Sequence, residues 1–427
     1  MSSPGRSGPS AASPSRRPRL AVVALAAVCA CGAPAPPSPA PAPPAPSSPA
    51  RVAVVEDPEA TALALGVVVP GSVWELPGTE GLTILAAMTV LETVRPALDS
   101  LGARAAVTCA PATFSFTLVA ARDVWRPALT AFLDGLFRPA PTPAALARAR
   151  TRLEASLRLD RASPAWQARL AVRRALYADS LSSGWVGPAC GVPEALALLD
   201  TADVRAGAYR FASRLAHVAA ITPVEGASVE ALLRDRLPAG PRPVIPRPRT
   251  VEAGRRDVPR NTVTAWVSVA FPFGPDAEIE AVRLLGAVLE DAIAPGVVRP
   301  ESFAAEHEVE RHGAGGTLVI RAVTAPSAAA AYAERIEALA TRYAVVGVPA
   351  ATLDRVARRH RGLRLRQLAA PEARAAGMAL QLALGGRPDP WPSLDLTGDQ
   401  VRAAAGALGV PARSVVGPAP VEAGGPP

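Results

Sequence analysis

The chain has 427 residues, 49% of them hydrophobic, which is enough for two or three domains with buried cores. Its formal net charge is +8, and all 45 basic residues are arginine, since the sequence contains no lysine. Four of these arginines lie in the first 19 residues, and no stretch combines clustered arginines with the aromatic side chains on which bases stack. These features argue against nucleic acid as a partner.

The N-terminal segment predicts export. A basic stretch ends at Arg19 and is followed by an apolar run over 20–28, which is too short for a permanent membrane-spanning helix. Cys31 follows a small residue, as the acylated cysteine of a lipoprotein signal does, whereas Cys29 follows a valine and fits less well. We therefore predict a lipoprotein-type signal peptide over 1–31, with lipid attached at Cys31. An ordinary cleaved signal peptide is the alternative.

Residues 32–50 are almost only proline, alanine and serine. Such a segment cannot bury a core and tends to an extended conformation, so we predict a tether that holds the protein to the membrane. Gly32 carries no acidic retention signal after the cysteine. The predicted location is the cell envelope, at the periplasmic face of the outer membrane.

A first α+β domain is predicted over 51–225. Two polar-proline pairs, Thr142-Pro143 and Ser163-Pro164, are typical of helix N-termini. Hydrophobic periodicity predicts, in order, a strand over 61–69, a helix over 80–98, a strand over 113–118, helices over 123–137, 143–160 and 164–177, and a closing strand over 217–221.

A proline-rich and arginine-rich linker is predicted over 226–260, because that density of proline suits neither helix nor sheet. A second domain over 261–420 repeats the order of the first. Its predicted elements are a strand over 263–271, a helix over 279–291, a strand over 317–324, helices over 327–344, 350–368 and 371–384, and a short strand over 415–418. We predict an internal duplication of two α+β units, each an antiparallel sheet with helices packed on one side.

This order of elements resembles the insulinase/pitrilysin family of zinc metallopeptidases across nearly the whole mature chain. The local resemblance lies in Gly71-Ser72, Glu75 and Gly81-Leu82 ahead of an apolar helix, and in Leu176-Tyr177 with the loop after it. The resemblance implies two homologous halves that close like a shell around a peptide.

The helix that carries the zinc motif of that family has no metal ligands here. The family motif is HxxEH, in which two histidines bind zinc and the glutamate is the general base. The corresponding positions of this chain are Thr83, Ile84, Leu85, Ala86, Ala87 and Met88. The resemblance therefore implies the fold but neither catalytic residues nor a zinc cofactor.

Two further positions are implied by the resemblance. Glu154 is the candidate relic of the third zinc ligand, and its alternative interpretation is a surface charge near Arg150 and Arg158. Arg299 lies where active relatives bind substrate with an arginine and a tyrosine, but no tyrosine follows it. It is a candidate peptide contact, or else a loop charge.

The histidines and the remaining cysteines do not have the spacing of a metal-binding motif. His307 and His312 are five residues apart, which differs from the spacing of a zinc helix, and we interpret them as part of a polar loop or helix end. We predict that His217 is a core residue and that His360 lies on a solvated helix face. Cys109 and Cys190 either pair after export or remain two buried thiols.

These observations predict an envelope lipoprotein with a metallopeptidase-like fold and no zinc site. Because the family includes heteromeric pairs with one catalytic subunit, the resemblance implies a non-catalytic partner of a catalytic insulinase-family chain. One alternative is a solitary structural or peptide-binding lipoprotein that uses the cleft between its halves. Another is an active zinc metalloendopeptidase with an unrecognised metal site.

Overall fold

The structure, a computed structural model, describes residues 47–48, 51–71, 75, 78–177, 187, 190–241, 254–296, 300–312 and 315–418. The predicted signal peptide with Cys29 and Cys31, nearly all of the tether, and Arg299 lie outside these residues. Within the described part, no helix is both long enough and apolar enough to cross a bilayer.

The first half of the chain builds a five-stranded sheet. Its elements begin after a two-residue strand, β1 (Ser47–Ser48), and are β2 (Arg51–Glu56), β3 (Ala62–Pro70), β4 (Arg104–Cys109), β5 (Thr113–Ala121) and β6 (His217–Thr222). The spatial order is β2-β6-β3-β5-β4, with β2 parallel to β6 and the other pairs antiparallel. The predicted closing strand is therefore interior, because β2 lies outside it.

The second half repeats this sheet strand for strand. After the two-residue strand β7 (Gly240–Pro241), which pairs with β1, come β8 (Arg255–Pro259), β9 (Ala265–Phe273), β10 (Ser302–His312), β11 (Gly315–Thr324) and β12 (Ala412–Gly417). Their order is β10-β11-β9-β12-β8, again with one parallel pair, between β8 and β12. The predicted fold class of two homologous α+β units is confirmed.

The helices follow the apolar periodicity of the sequence, with boundaries within about two residues of the predicted ones for the long elements. In the first half they are α1 (Leu82–Ser100), α2 (Trp125–Phe137), α3 (Pro143–Ala162), α4 (Pro164–Leu176), α5 (Pro193–Leu198), α6 (Thr201–Ala212) and α7 (Gly226–Arg236). In the second half they are α8 (Ile279–Ile293), α9 (Ala329–Val346), α10 (Ala350–Ala369), α11 (Pro371–Ala383) and α12 (Gly398–Gly406). The hydroxyls of Thr142 and Ser163 accept backbone N–H groups at the starts of α3 and α4, as the sequence predicts.

Each sheet has its own core on one face. In the first half, α1, α2 and α6 bury Leu85, Phe132 and Phe211 against Phe116 of β5. In the second half, α8 and α9 pack against β9 and β11 in the same way. These helices therefore lie on one side of their own sheet.

The opposite face of each sheet receives a helix from the other half. Val172 and Leu176 of α4 pack with Val319 of the second sheet. Met378 of α11 packs on the first sheet, where a Cβ on Gly66 would come within 2.6 Å of the Ala375 carbonyl oxygen. Because the halves exchange helices, neither half has a complete set of packed faces by itself.

The predicted linker over 226–260 is too long at both ends. Residues 226–236 form α7, which buries Val229 and Leu233 in the first core, since the prolines begin only at Pro238. Residues 255–259 form β8, an edge strand that carries Pro259 at its last position, where proline is tolerated. Segment 242–253 between them lies outside the described residues.

Candidate functional site

The helix at the zinc-motif position, α1, has its N-terminus held by a carboxylate. The backbone N–H groups of Gly81 and Thr83 donate to the two oxygens of Glu75, at 2.8 and 2.7 Å. Gly81 has φ of 95°, and a Cβ there would lie 2.8 Å from the Leu196 side chain, so glycine suits this position. Burial raises the pKa of Glu75 above its ordinary value, while the two backbone hydrogen bonds oppose that shift. Glu75 thus acts as a cap for this helix.

The first turns of α1 are part of the hydrophobic core. Ile84 is 3% exposed, and Leu85, Ala86 and Ala87 are fully buried. Met88 and Thr83 are half-buried at the edge of the same cluster. None of these side chains is a zinc ligand of the histidine, cysteine or carboxylate type. The residues at this helix therefore do not fit a zinc ion.

Glu154, the candidate third ligand, lies on α3. Its carboxylate is 25% exposed and forms an ion pair with Arg158 one turn later, at 3.4 Å. This geometry matches the alternative interpretation of a helix-surface charge. Among the residues that the structure describes, no three His, Cys, Asp or Glu side chains lie together in a group that could hold a metal ion.

The buried carboxylate of α1 is Glu92, which has a different set of neighbours. Its side chain is 3% exposed and forms ion pairs with Arg95 at 3.1 Å, Arg148 at 3.4 Å and Arg152. Two of these arginines belong to α3, so the cluster joins α3 to α1. Glu92 is fully engaged in this structural contact.

The segment with His307 and His312 is wrongly predicted as a loop or helix end, since it forms strand β10. Successive strand residues point to opposite faces, so an odd spacing separates the two imidazoles. His307 Nδ1 lies 2.5 Å from Glu290 of α8. His312 Nε2 lies 3.4 Å from the Tyr177 hydroxyl, and burial lowers the pKa of His312 to about 4.

His360 is buried, which contradicts the predicted solvated position. Its side chain is 7% exposed, and burial lowers its pKa to about 4. With Leu353 and Val356 it forms the apolar stripe by which α10 packs in the second core region, while its arginine neighbours point away. The spacing of these three residues was the available signal in the sequence. His217 is buried in β6, at the core position that the sequence predicts.

Cys109 and Cys190 form a disulfide with their Cα atoms 6.0 Å apart. It joins the end of edge strand β4 to the segment before α5. Of the two alternatives that the sequence left open, the structure has the paired one.

A cavity of about 360 Å³ lies beside this disulfide, between α4 and the end of β10. Its walls are charged: Arg169 lies 3.0 Å from Glu308, and Arg173 forms an ion pair with Glu310. This volume is near the lower limit of about 300 Å³ for small-molecule pockets.

The comparisons with known proteins agree on the fold. No family model and no curated protein matches the sequence. A peptidase M16 inactive domain from Pseudomonas fluorescens superposes with a TM-score of 0.72 at 17% identity, over 88% of this chain and 98% of that chain. A protease from Helicobacter pylori gives 0.70 at 14%, over 88% and 100%. A chain of complex III2 from Candida albicans gives 0.67 at 13%, over 87% and 96%. The chain therefore has an insulinase-like, or M16-like, fold.

Proposed function

We propose that this protein is a non-catalytic, peptidase-like subunit that is anchored in the cell envelope and assembles with a catalytic insulinase-type chain. The observation that carries the proposal is the buried, apolar face of α1, where Ile84, Leu85 and Ala87 occupy the helical turn that would have to bind zinc. A catalytic zinc site needs about three protein ligands with one open position. This helix supplies none of them.

The chemistry around α1 supports the same conclusion. Its buried carboxylate, Glu92, is held by arginines, and Glu154 pairs with Arg158. Both carboxylates are therefore used in ion pairs between or along helices rather than in a metal site. The similarity to a structure described as an M16 inactive domain adds support at the level of the fold.

The packing between the two sheets supports a second chain as the partner. Helices α4 and α11 occupy the facing sheet surfaces, and the cavity of about 360 Å³ beside α4 is small for a peptide. An enclosure for a peptide would then form between this chain and another of similar architecture. The proposed partner is a catalytic insulinase-family subunit.

Export and anchoring are supported by the sequence of the first 50 residues and by the disulfide. Disulfides persist in oxidising compartments such as the bacterial periplasm. The Cys109–Cys190 pair is therefore consistent with a protein that folds after export. We propose lipid attachment at Cys31 and a location at the periplasmic face of the outer membrane.

Cys31→Ser tests the anchor. The variant is expected to move from the membrane fraction to the soluble fraction, because the proline-rich tether has no other hydrophobic attachment. Cys29→Ser serves as the matched control and should remain in membranes. Membrane retention of Cys31→Ser would contradict acylation at this residue.

Chemical crosslinking in native membranes, followed by purification of the tagged protein, tests the partner. The expected result is an approximately stoichiometric second chain whose sequence contains an intact HxxEH. Recovery of the protein alone would instead favour the second candidate function, a solitary lipoprotein that binds ligands in its charged cavity between the halves.

A further inference from the structure

A second cavity, of about 330 Å³, lies where α8, α10 and α11 meet the end of β10. Four arginines contribute to its lining: Arg283, Arg311, Arg364 and Arg374. They come from four different elements, α8, β10, α10 and α11. The cavity is therefore a product of the fold rather than of one basic segment.

Three of these four guanidinium groups already form an ion pair with a carboxylate. Glu280 is 5% exposed and pairs with both Arg283 and Arg364, the latter at 3.0 Å. Arg374 pairs with Asp57 of the first half at 2.8 Å. The guanidinium of Arg311 has neither a hydrogen bond nor an ion pair within the described part of the chain, although the charge of Glu280 acts on it.

Asp389, the remaining acidic residue of the lining, is oriented by the backbone. Its carboxylate accepts the N–H of Trp391 at 2.9 Å, and its own N–H donates to Gln381 at 2.7 Å. With Asp389 included, the four arginines face three carboxylates. The local charge balance is positive by one.

The basic groups are partly or fully removed from water. Arg374 is 5% exposed, its guanidinium stacks 4.5 Å from the centre of the Trp391 ring, and its Nε is buried without a hydrogen-bond partner among the described residues. Burial lowers the pKa of Arg283 and of Arg311 below their ordinary values. Guanidinium groups nonetheless keep their proton in proteins, so an anion is the natural compensation for this buried charge.

We propose that this cavity binds a small molecule through a carboxylate or phosphate group, with Arg311 as the principal contact and Arg374 as the second. Arginine presents planar, paired N–H groups that match the oxygens of both anions. The stacking of Arg374 on Trp391 holds this guanidinium in place beside the cavity. The inference does not rest on the proposed partner function; Arg311 borders both cavities, whereas Arg374 lines the second and not the first.

Binding is tested on the full-length lipoprotein extracted in detergent. Isothermal titration uses inorganic phosphate and succinate separately, at an ionic strength kept constant with sodium chloride. Saturable binding of phosphate alone would assign the site to a phosphate group, and binding of succinate alone to a carboxylate. Saturable binding of neither anion would overturn the proposal.

Arg311→Gln is the informative variant, since within the described residues the Arg311 side chain makes no hydrogen bond or ion pair that the substitution would break. It is expected to weaken binding about tenfold or more, the range of a lost charge-assisted pair. Arg402→Gln is the control, because Arg402 is a half-exposed arginine that pairs with Asp399 outside the cavity. Equal affinities of the two variants, with unchanged melting temperatures, would show that the cavity is not the site.

Discussion

The helices α1 and α8 hold the same position in the repeated topology, but they place polar groups differently. Helix α1 follows the central strand β3 and precedes the hairpin β4–β5, and α8 follows the central strand β9 and precedes the hairpin β10–β11. The first turn of α1 buries Ile84 and Leu85 in the core. The first turn of α8 instead buries Glu280, which pairs with Arg283 and Arg364.

This difference shows that the fold does not determine which polar side chains the corresponding helices bury. The duplicated topology requires only an amphipathic helix over each sheet. Which polar side chains such a helix carries is not fixed by that requirement. The first turn of α1, which the resemblance aligns with the zinc motif, is a packing position in this chain, whereas the first turn of α8 borders an arginine-lined cavity.

Introducing an HxxEH motif into α1 should lower the free energy of unfolding more than the other substitutions below. In the triple variant Ile84→His, Ala87→Glu and Met88→His, two polar side chains enter fully packed positions. Each unpaired buried polar group costs about 1–3 kcal/mol, and the larger glutamate adds overpacking. We expect a lower free energy of unfolding, measured by urea denaturation, and no peptidase activity.

Met88→His alone is the matched control, because Met88 is only half-buried. It should lower stability far less than the triple variant. A triple variant that binds zinc, unfolds at the same urea concentration as the wild type and cleaves peptides would contradict a repacked core. It would show instead that the site is intact apart from its ligands.

Acid should destabilise the protein through buried histidines of the second half. Burial lowers the pKa of His360 to about 4 from an ordinary value near 6.5. The unfolded state therefore binds more protons between these pH values, so stability is full above pH 6.5 and falls as the pH decreases towards 4. One such histidine accounts for about 2 kcal/mol between pH 6.5 and pH 5.

His360→Gln should flatten this pH dependence, since the amide does not titrate. Urea denaturation at pH 6.5 and pH 5 measures the effect, and His312→Gln provides the comparison at the junction of the halves, where burial also lowers the pKa to about 4. If neither variant changes the pH dependence of the free energy of unfolding, the acid sensitivity arises from other titratable groups.

Substitutions in the ion-pair cluster between α1 and α3 should change the free energy of unfolding least. Glu92→Gln removes a buried charge from three arginines that are themselves about half exposed, so solvent offsets part of the loss. We expect about 1–2 kcal/mol of destabilisation. Glu154→Gln, which breaks one exposed pair, should change the free energy of unfolding by less than about 0.5 kcal/mol. Equal effects would mean that Glu92 does not fasten the two helices.

The sequence predicts the long elements well because their apolar periodicity is strong, as in α1, α8 and α10. Edge strand β4 is missed because its residues alternate between exposed and half-buried positions without a continuous apolar face. In β10 the available signal is the alternation of Glu306, Glu308 and Glu310, which a strand places on one face.

Other features depend on contacts between distant parts of the chain, which no local sequence pattern encodes. The exchange of α4 and α11 between the sheets leaves no local mark, since both are ordinary amphipathic helices. The resemblance located α1 and its missing ligands, but the packing of Glu92 with α3 and the gathering of Arg311 and Arg374 at one cavity arise only in the folded chain.

The absence of zinc chemistry is the central claim, and metal content with peptide cleavage tests it most directly. The purified full-length protein would be analysed by inductively coupled plasma mass spectrometry after incubation with zinc and removal of excess metal. It would then be assayed with a library of fluorogenic peptides. We predict far less than one zinc ion per chain and no cleavage above the background of the buffer. One zinc ion per chain together with cleavage that a chelator abolishes would contradict the account.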